Sequence, residues 1–399
     1  MNAVPSGPLA ERVAFVLLAL FVFTIPFEKS VLIPGVGTIA RLLGILALCA
    51  GGYHAARRRT LRRPNLALVW MAVFVAWAGM TRIWSLAPET TSLRFLTFVQ
   101  LLCMAWLVWE YSSTGDRQRW LLRAYVAGAW VSSVITLIRY GQGLQTYYRR
   151  FAATGFDPND LGLTLALSLP LAMYLALRDG KLARWVYRGG MLLAIAALLL
   201  TASRGAFVAA LLAFGFAAAT WMQSGLAGKL SSAALLVLLL AGALRLAPAA
   251  SRERLSTLPE ELASGTLHNR TRIWEAGLKA LRQYPFHGAG AGAYPQAVRP
   301  WLGRPAREGH EYVAHNTFLS VLVECGLIGF ALFASLLATL LLFIYFMPAV
   351  ERALWVTMLA VWVAGASLLT WEHRKPSWLL FALIMAGWAR AFHAADEST

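Results

Sequence analysis

The stretch LLLTASRGAFVAALLAFGF, residues 198–216, sets one arginine, Arg204, in a tight turn between two runs that hold almost nothing else polar. Each run alone is near the length that crosses a bilayer as a helix, about 20 residues, and runs of this kind recur along the chain. The protein has 399 residues, of which 59% are hydrophobic and only 14% charged. A soluble domain of that length needs far more charged surface. Periodicity inside the runs is weak, because lipid-facing and protein-facing sides are both apolar. The composition therefore reads as an all-α polytopic membrane protein.

Spans fall near 10–27, 38–54, 65–84, 93–110, 119–140, 159–177, 185–201, 206–222, 230–247, 314–346, 350–370 and 377–394, about twelve transmembrane helices by the length rule. The first run continues to Phe27 without a small-residue cleavage site, so it is expected to remain as a helix and not to leave as a signal peptide. The run 314–346 exceeds one span and is expected to tilt or project. Pro170 is expected to kink the sixth span. The organisation that follows is nine helices over 1–247, one large periplasmic loop over 248–313 between spans nine and ten, and three helices over 314–399. Within the loop, TRIWEAGLKALRQY places Ile273, Trp274, Gly277, Leu278 and Leu281 at helical spacing before Pro285.

The basic loops RRRTLRR (57–63), DRQR (116–119) and RDGKLARWVYR (178–188) share one side if the spans alternate. That side is the cytoplasm, and both termini lie there. The opposite side then carries Arg149, Arg150, Arg204, Arg252, Arg254, Arg270, Arg272, Arg282, Arg299, Arg304 and Arg307, against the positive-inside rule. A long translocated loop escapes that rule and accounts for part of the set. Arg204, in its short turn, is not covered by it, since an arginine at membrane depth costs about 2.5–3.5 kcal/mol on insertion scales unless it snorkels or meets an anion. Acidic residues on that side, among them Glu28, Asp157, Asp160 and Glu372, are few and scattered. A guanidinium grips phosphate oxygens bidentately and keeps its charge, so a phosphate or diphosphate is the expected ligand.

EYVAHNTFLSVLVECGLIGF, 311–330, opens the tenth span with His315 and Asn316 at its mouth. Alone, such a histidine reads as a helix cap or interfacial residue. Beside arginines its pKa falls, and the neutral ring is the form a general base needs. HEYVAH (310–315) is one residue longer than the zinc-protease motif, which puts its two histidines on different helix faces, so no metal site is expected. Cys49, Cys103 and Cys325 have no paired spacing, so no disulfide or zinc framework is expected either. HGAGAGAYP (287–295) follows no strand and reads as a compact turn, not as a dinucleotide fingerprint. GFDPND (155–160) reads as a turn into span six, capped by Asn159, which is also a possible substrate contact.

Four pieces, TGFDPNDLG, TASRGA, NRTRIWEAGLKALRQYPFHGAGAGAY and HNTFLSVLVECGLIGF, occur in order over residues 154–330 and together resemble the bacterial O-antigen ligase family and its ligase/polymerase superfamily. The resemblance implies a metal-independent, inverting glycosyltransferase without a cofactor. Its donor is undecaprenyl diphosphate-linked O-antigen, its acceptor the lipid A core, and its place the bacterial inner membrane with the active site on the periplasmic side. The family's Arg-x-x-x-Trp pattern falls on Arg270 and Trp274, with Arg272 a second candidate for the diphosphate. Its short-turn arginine falls on Arg204 and its His-Asn pair on His315 and Asn316. Arg149, Arg150, Asn159 and Asn316 are possible substrate contacts, and His315 is the expected base. No nucleic-acid partner is expected. An O-antigen polymerase shares this chemistry and is the nearest alternative, a protein O-glycosyltransferase a more distant one. A lipid flippase or anion transporter would want mid-bilayer polar groups and an internal repeat.

Overall fold

The computed structural model describes residues 8–146, 150–221, 245, 270–302 and 312–396. Among them the chain is helical almost throughout, and nine helices are long and apolar enough to cross a membrane. They are α1 (Leu9–Thr24, continued by a 3-10 turn to Ser30), α2 (Ile39–Arg58), α3 (Leu66–Met80, continued to Ile83), α4 (Pro88–Tyr111), α5 (Gly115–Gly141), α6 (Pro158–Arg178), α7 (Lys181–Leu200), α12 (Thr317–Tyr345) and α13 (Ala349–Ala366). Between α7 and α12 lie the short helices α8 (Arg204–Ala213), α9 (Gly215–Trp221), α10 (Arg270–Gln283) and α11 (Tyr294–Leu302); α14 (Lys375–Asp396) closes the order. The expected ninth span, 230–247, lies outside the described residues apart from Arg245, and so do residues 248–269 and 303–311 of the expected loop 248–313. A two-stranded hairpin, β1 (Leu32–Ile33) with β2 (Gly37–Thr38), sits between α1 and α2 and leaves the all-α class unchanged.

Helix starts follow local chemistry. Thr38, Asn65, Thr114, Asp157, Ser203 and Asn316 each cap the helix that follows by accepting a backbone N–H through the side chain. For α6 the cap is Asp157 and not Asn159, because Pro158 occupies the first helical position, where its missing N–H costs nothing. Asn159 already stands inside the first turn. Pro170 is accommodated within α6, which runs as one helix from Pro158 to Arg178.

α6 is the central element, with 83% of its span buried, packed against α5, α7, α8 and α13. Small residues let the backbones close: a Cβ added at Gly162 would stand 2.5 Å from Ala206 Cβ and 3.1 Å from Thr201 Oγ1. That contact brings the start of α6 against the turn that carries Arg204.

α12 resolves the excess length of the run 314–346. Its 29 residues would rise roughly 44 Å as one helix, well beyond a hydrocarbon core of about 30 Å, but Gly326 (φ 69°, ψ −174°) breaks it. The piece after the break, 327–345, rises roughly 28 Å, a single span. The broken ladder is completed by the glycine-rich segment. Ala289 and Gly290 donate to the carbonyls of Val323 and Glu324, and Leu327 and Ile328 donate to those of Pro285 and Phe286 (2.8–3.2 Å). The segment is the compact turn the sequence implied, with Gly288, Gly290 and Gly292 all at positive φ.

Side-chain contacts sort the loops into two ends of the bundle. At one end Arg58 pairs with Glu110, Arg123 with Asp179 at 2.7 Å and Arg178 with Glu351 at 2.7 Å. At the other, Ser30 bonds Thr154, Leu86 bonds Ala289, and Lys375 pairs with Glu28 at 2.6 Å. The basic loops of the sequence gather at the first end, as alternation of spans requires.

Candidate functional site

At the second end, Arg150 ties the start of α6 to the end of α7. The residue is buried, and its Nε donates to Thr201 O at 2.6 Å while Nη2 donates to Asn159 Oδ1 at 2.8 Å. The backbone reinforces the tie, with Phe151 N donating to Leu200 O at 3.0 Å. Ala202, in the turn itself, takes φ 48°, a conformation uncommon for a residue with a Cβ. Ser203 then caps α8, so that Arg204 is its first residue and stands at the positive end of that helix's dipole. Backbone amides and a guanidinium thus meet at one point, an arrangement that suits an anion.

The opposing side is built by α10 and the start of α12. Arg270 opens α10, and Trp274, one turn on and on the same face, donates its Nε1 to Ala314 O at 2.8 Å. This bond sets the Arg-x-x-x-Trp face against His315. His315 itself has φ 46°, the left-handed region. Asn316 caps α12 by accepting from Leu319 N at 3.0 Å, and Thr317 accepts from Trp371 N while donating to Leu369 O, both at 2.8 Å. Backbone strain at Ala202 and at His315 is of the kind that persists where surrounding structure fixes a functional geometry.

Electrostatics join the two sides. Burial, and then the Arg270 charge, push the His315 pKa down to about 4, with Asp157 and Asp160 pulling the other way. Burial lowers Arg270 too, Asp157 opposes that shift and the like charge of Arg204 adds to it. Arg204, Arg270, Asp157 and His315 therefore form one interacting group, and at neutral pH its imidazole is uncharged.

Arg272 does not join that group. It is exposed on α10 and donates to Leu302 O at the end of α11, tying those two helices together. Arg282 and Arg299 are exposed on α10 and α11. Arg149, Arg252, Arg254, Arg304 and Arg307 lie outside the described residues. Asn159 and Arg150 hold each other, and Asn316 holds a helix start.

Reading the sequence for arginines passed over two parts of the site. One is Asp157, the protein's own carboxylate beside Arg270. The other is the loop WEHRKPSW, 371–378, where Trp371 Nε1 and Arg374 both reach Asp160 at 2.9 Å and Lys29 comes within 3.7 Å of it. Glu372 in that loop pairs with Arg94 at 3.2 Å, and its burial raises its pKa, while burial and the Arg94 charge hold His373 well below the usual imidazole range. Three charged residues and a histidine in succession between two apolar runs were the available signal.

The family comparison covers the segment that carries Arg204, Arg270 and His315. Residues 189–334 match the O-antigen ligase family. The O-antigen ligase match begins within α7 and ends within α12, so it takes in the Arg204 turn, α10, the glycine-rich segment and the broken helix, but not Arg150 or Asn159. The chain is also similar to the exopolysaccharide production protein ExoQ of Rhizobium meliloti (strain 1021), 27% identical over an alignment of 300 positions that covers 68% of this chain. It spans 64% of the length of that relative.

Proposed function

We propose that this protein is an O-antigen ligase, moving polysaccharide from undecaprenyl diphosphate to the lipid A core on the periplasmic side of the bacterial inner membrane. The observation that carries the reading is the grouping of Arg204 and Arg270 with a neutral, conformationally fixed His315 inside the segment that matches the O-antigen ligase family. In the proposed step the acceptor hydroxyl oxygen attacks the anomeric carbon, and the bond from that carbon to the diphosphate oxygen breaks. The diphosphate departs with the electron pair and His315 takes the hydroxyl proton. Arg204 and Arg270 offset the charge that develops on the leaving oxygen. A single displacement inverts the anomeric centre.

The low proton affinity of His315 suits this order of events. Burial, and with it the Arg270 charge, keep the ring neutral and a weak base. An arriving diphosphate offsets the guanidinium charge, so the same ring becomes a stronger base when the donor is present. With two fixed cations on the diphosphate, the reading assigns no metal or cofactor.

Kinship with an exopolysaccharide production protein favours, as a second reading, a polymerase that extends a carrier-linked chain with the same donor chemistry. One assay separates the two. Purified protein is given EDTA and carrier-linked O-antigen repeats, with or without lipid A-core, and the products are run on a gel. Polysaccharide on lipid A-core, absent with His315→Ala, is the expected result. Longer carrier-linked chains formed without lipid A-core would replace ligase by polymerase, and loss of transfer on adding EDTA would overturn metal independence.

A further inference from the structure

Between α1, α2 and α4 the bundle leaves a cleft of about 540 Å³, a volume typical of ligand sites. Its walls are of two kinds. Along the helices they are apolar, with Phe21 of α1, Ile45 and Leu48 of α2, and Leu101, Met104 and Leu107 of α4. At the end near the candidate site they are charged, with Arg41 from the first turn of α2, Arg374 and Lys375 from the loop before α14, and Glu28.

The charged end is not balanced internally. Lys375 pairs with Glu28 at 2.6 Å, while Arg374 at 2.9 Å and Lys29 at 3.7 Å share Asp160. Arg41 has no carboxylate partner among the described residues, so of the Arg, Lys, Asp and Glu side chains that line the cleft, Arg41, Arg374 and Lys375 face the single carboxylate of Glu28 and the rim keeps surplus positive charge. Halfway along α4 the exposed side chain of Gln100 also faces the cleft. A polar side chain at that depth in a spanning helix costs free energy against lipid tails and marks a ligand path.

An apolar trough along membrane-length helices, ending in surplus positive charge, matches a lipid with a phosphate on its head group. We propose that this cleft seats the acceptor lipid of the transfer, with a chain between α2 and α4 and a head-group phosphate at Arg41 and Arg374. The assignment of that lipid as acceptor rests on the ligase reading given above. The position fits it. Arg374 holds Asp160 in the first turn of α6, three residues from Asp157, and both carboxylates act electrostatically on His315. A head group held at Arg374 therefore extends its sugars toward His315 from the side opposite α10, while Arg204 and Arg270 remain for the donor diphosphate. The two lipids would approach one base from different helices.

The test uses the full chain in nanodiscs of phosphatidylcholine, with bisphosphorylated lipid A as the probe and native mass spectrometry reading occupancy. Two variants attack the cleft independently. In Gly44→Trp the new side chain begins 3.3 Å from the Phe21 ring and fills the trough, and Arg41→Ala removes the unpaired cation without touching the packing. Gly52→Trp, on the same helix where nothing lies within 4 Å of an added Cβ, is the control. Lipid A occupancy should fall at least tenfold in both cleft variants, while the control and the binding of undecaprenyl diphosphate stay within twofold of wild type. Unchanged lipid A binding in Arg41→Ala, or loss of undecaprenyl diphosphate in place of lipid A, would overturn the proposal. Wild-type transfer rates in the cleft variants would sink this proposal alone. Absence of transfer by the wild-type protein, with lipid A binding still lost in both cleft variants, would remove the ligase reading and leave the lipid site standing.

Discussion

His315 combines a left-handed backbone with a buried ring beside a guanidinium, and both features have measurable consequences. Its folded pKa of about 4 lies below the ordinary 6.5, so as pH falls from 6.5 the unfolded chain takes up this proton before the folded one does. Stability contributed at this position is present above pH 6.5 and is lost as pH falls toward 4. Asparagine tolerates positive φ and does not titrate, so His315→Asn should keep the backbone and remove that loss. Thermal melts at pH 7 and pH 4.5 should show the variant gaining on wild type at the lower pH; parallel losses in both would mean that the ring is not held neutral. Arg204 was legible in the sequence because a cation in so short a turn between apolar runs demands an explanation. Asp157 was not, since DPND reads locally only as a helix start, and the charge interaction of Asp157 with Arg270, over 100 residues later, is set by the fold.

Among the elements, the broken helix α12 and the glycine-rich segment form one unit. A Cβ at Gly326 would lie 2.2 Å from Phe286 O, and its φ of 69° disfavours any side chain, so Gly326→Ala should cost on the order of 1–3 kcal/mol in backbone strain alone. Reduced yield of folded protein and a lower melting temperature would show it, whereas an unchanged melt would mean that the break is not required. Nothing local warned of the break, because VECGLIGF is apolar apart from Glu324 and one glycine in a helix costs only about 1 kcal/mol relative to alanine. What stabilises the break is a set of backbone partners some 40 residues earlier. The Trp274 to Ala314 bond links α10 to His315 in a similar way. Trp274→Phe keeps most of the ring's bulk and removes one half-buried hydrogen bond, worth about 0.5–1.5 kcal/mol. Turnover should fall several-fold with the melt nearly unchanged; wild-type turnover would release α10 from a positioning role.

For the whole molecule, apolar run length alone suggested the spans, because about 20 helical residues must cross the hydrocarbon whatever they pack against. Nine of the twelve expected stretches coincide with described helices long and apolar enough to cross a membrane, while 206–222 overlaps the short α8 and α9, 377–394 falls on α14, and 230–247 lies outside the described residues but for Arg245. Contacts across the bundle were not legible: Arg374 and Lys29 meet at Asp160 from positions far apart in the chain, and no local pattern encodes that meeting. Orientation can be read with exposed positions at the two ends. Glu89→Cys should react with a membrane-impermeant maleimide in intact spheroplasts and Arg63→Cys only after permeabilisation. The reverse pattern would put the candidate site in the cytoplasm and exclude a periplasmic acceptor.

The central claim is that Arg204 and Arg270 hold a diphosphate beside His315. Its most direct test is the affinity of the purified protein for undecaprenyl diphosphate, compared between wild type, Arg204→Lys and Arg270→Lys. Lysine keeps the charge and loses the bidentate fork, so the account predicts binding at least tenfold weaker in each variant, with the melting temperature preserved. Wild-type affinity in both would contradict it.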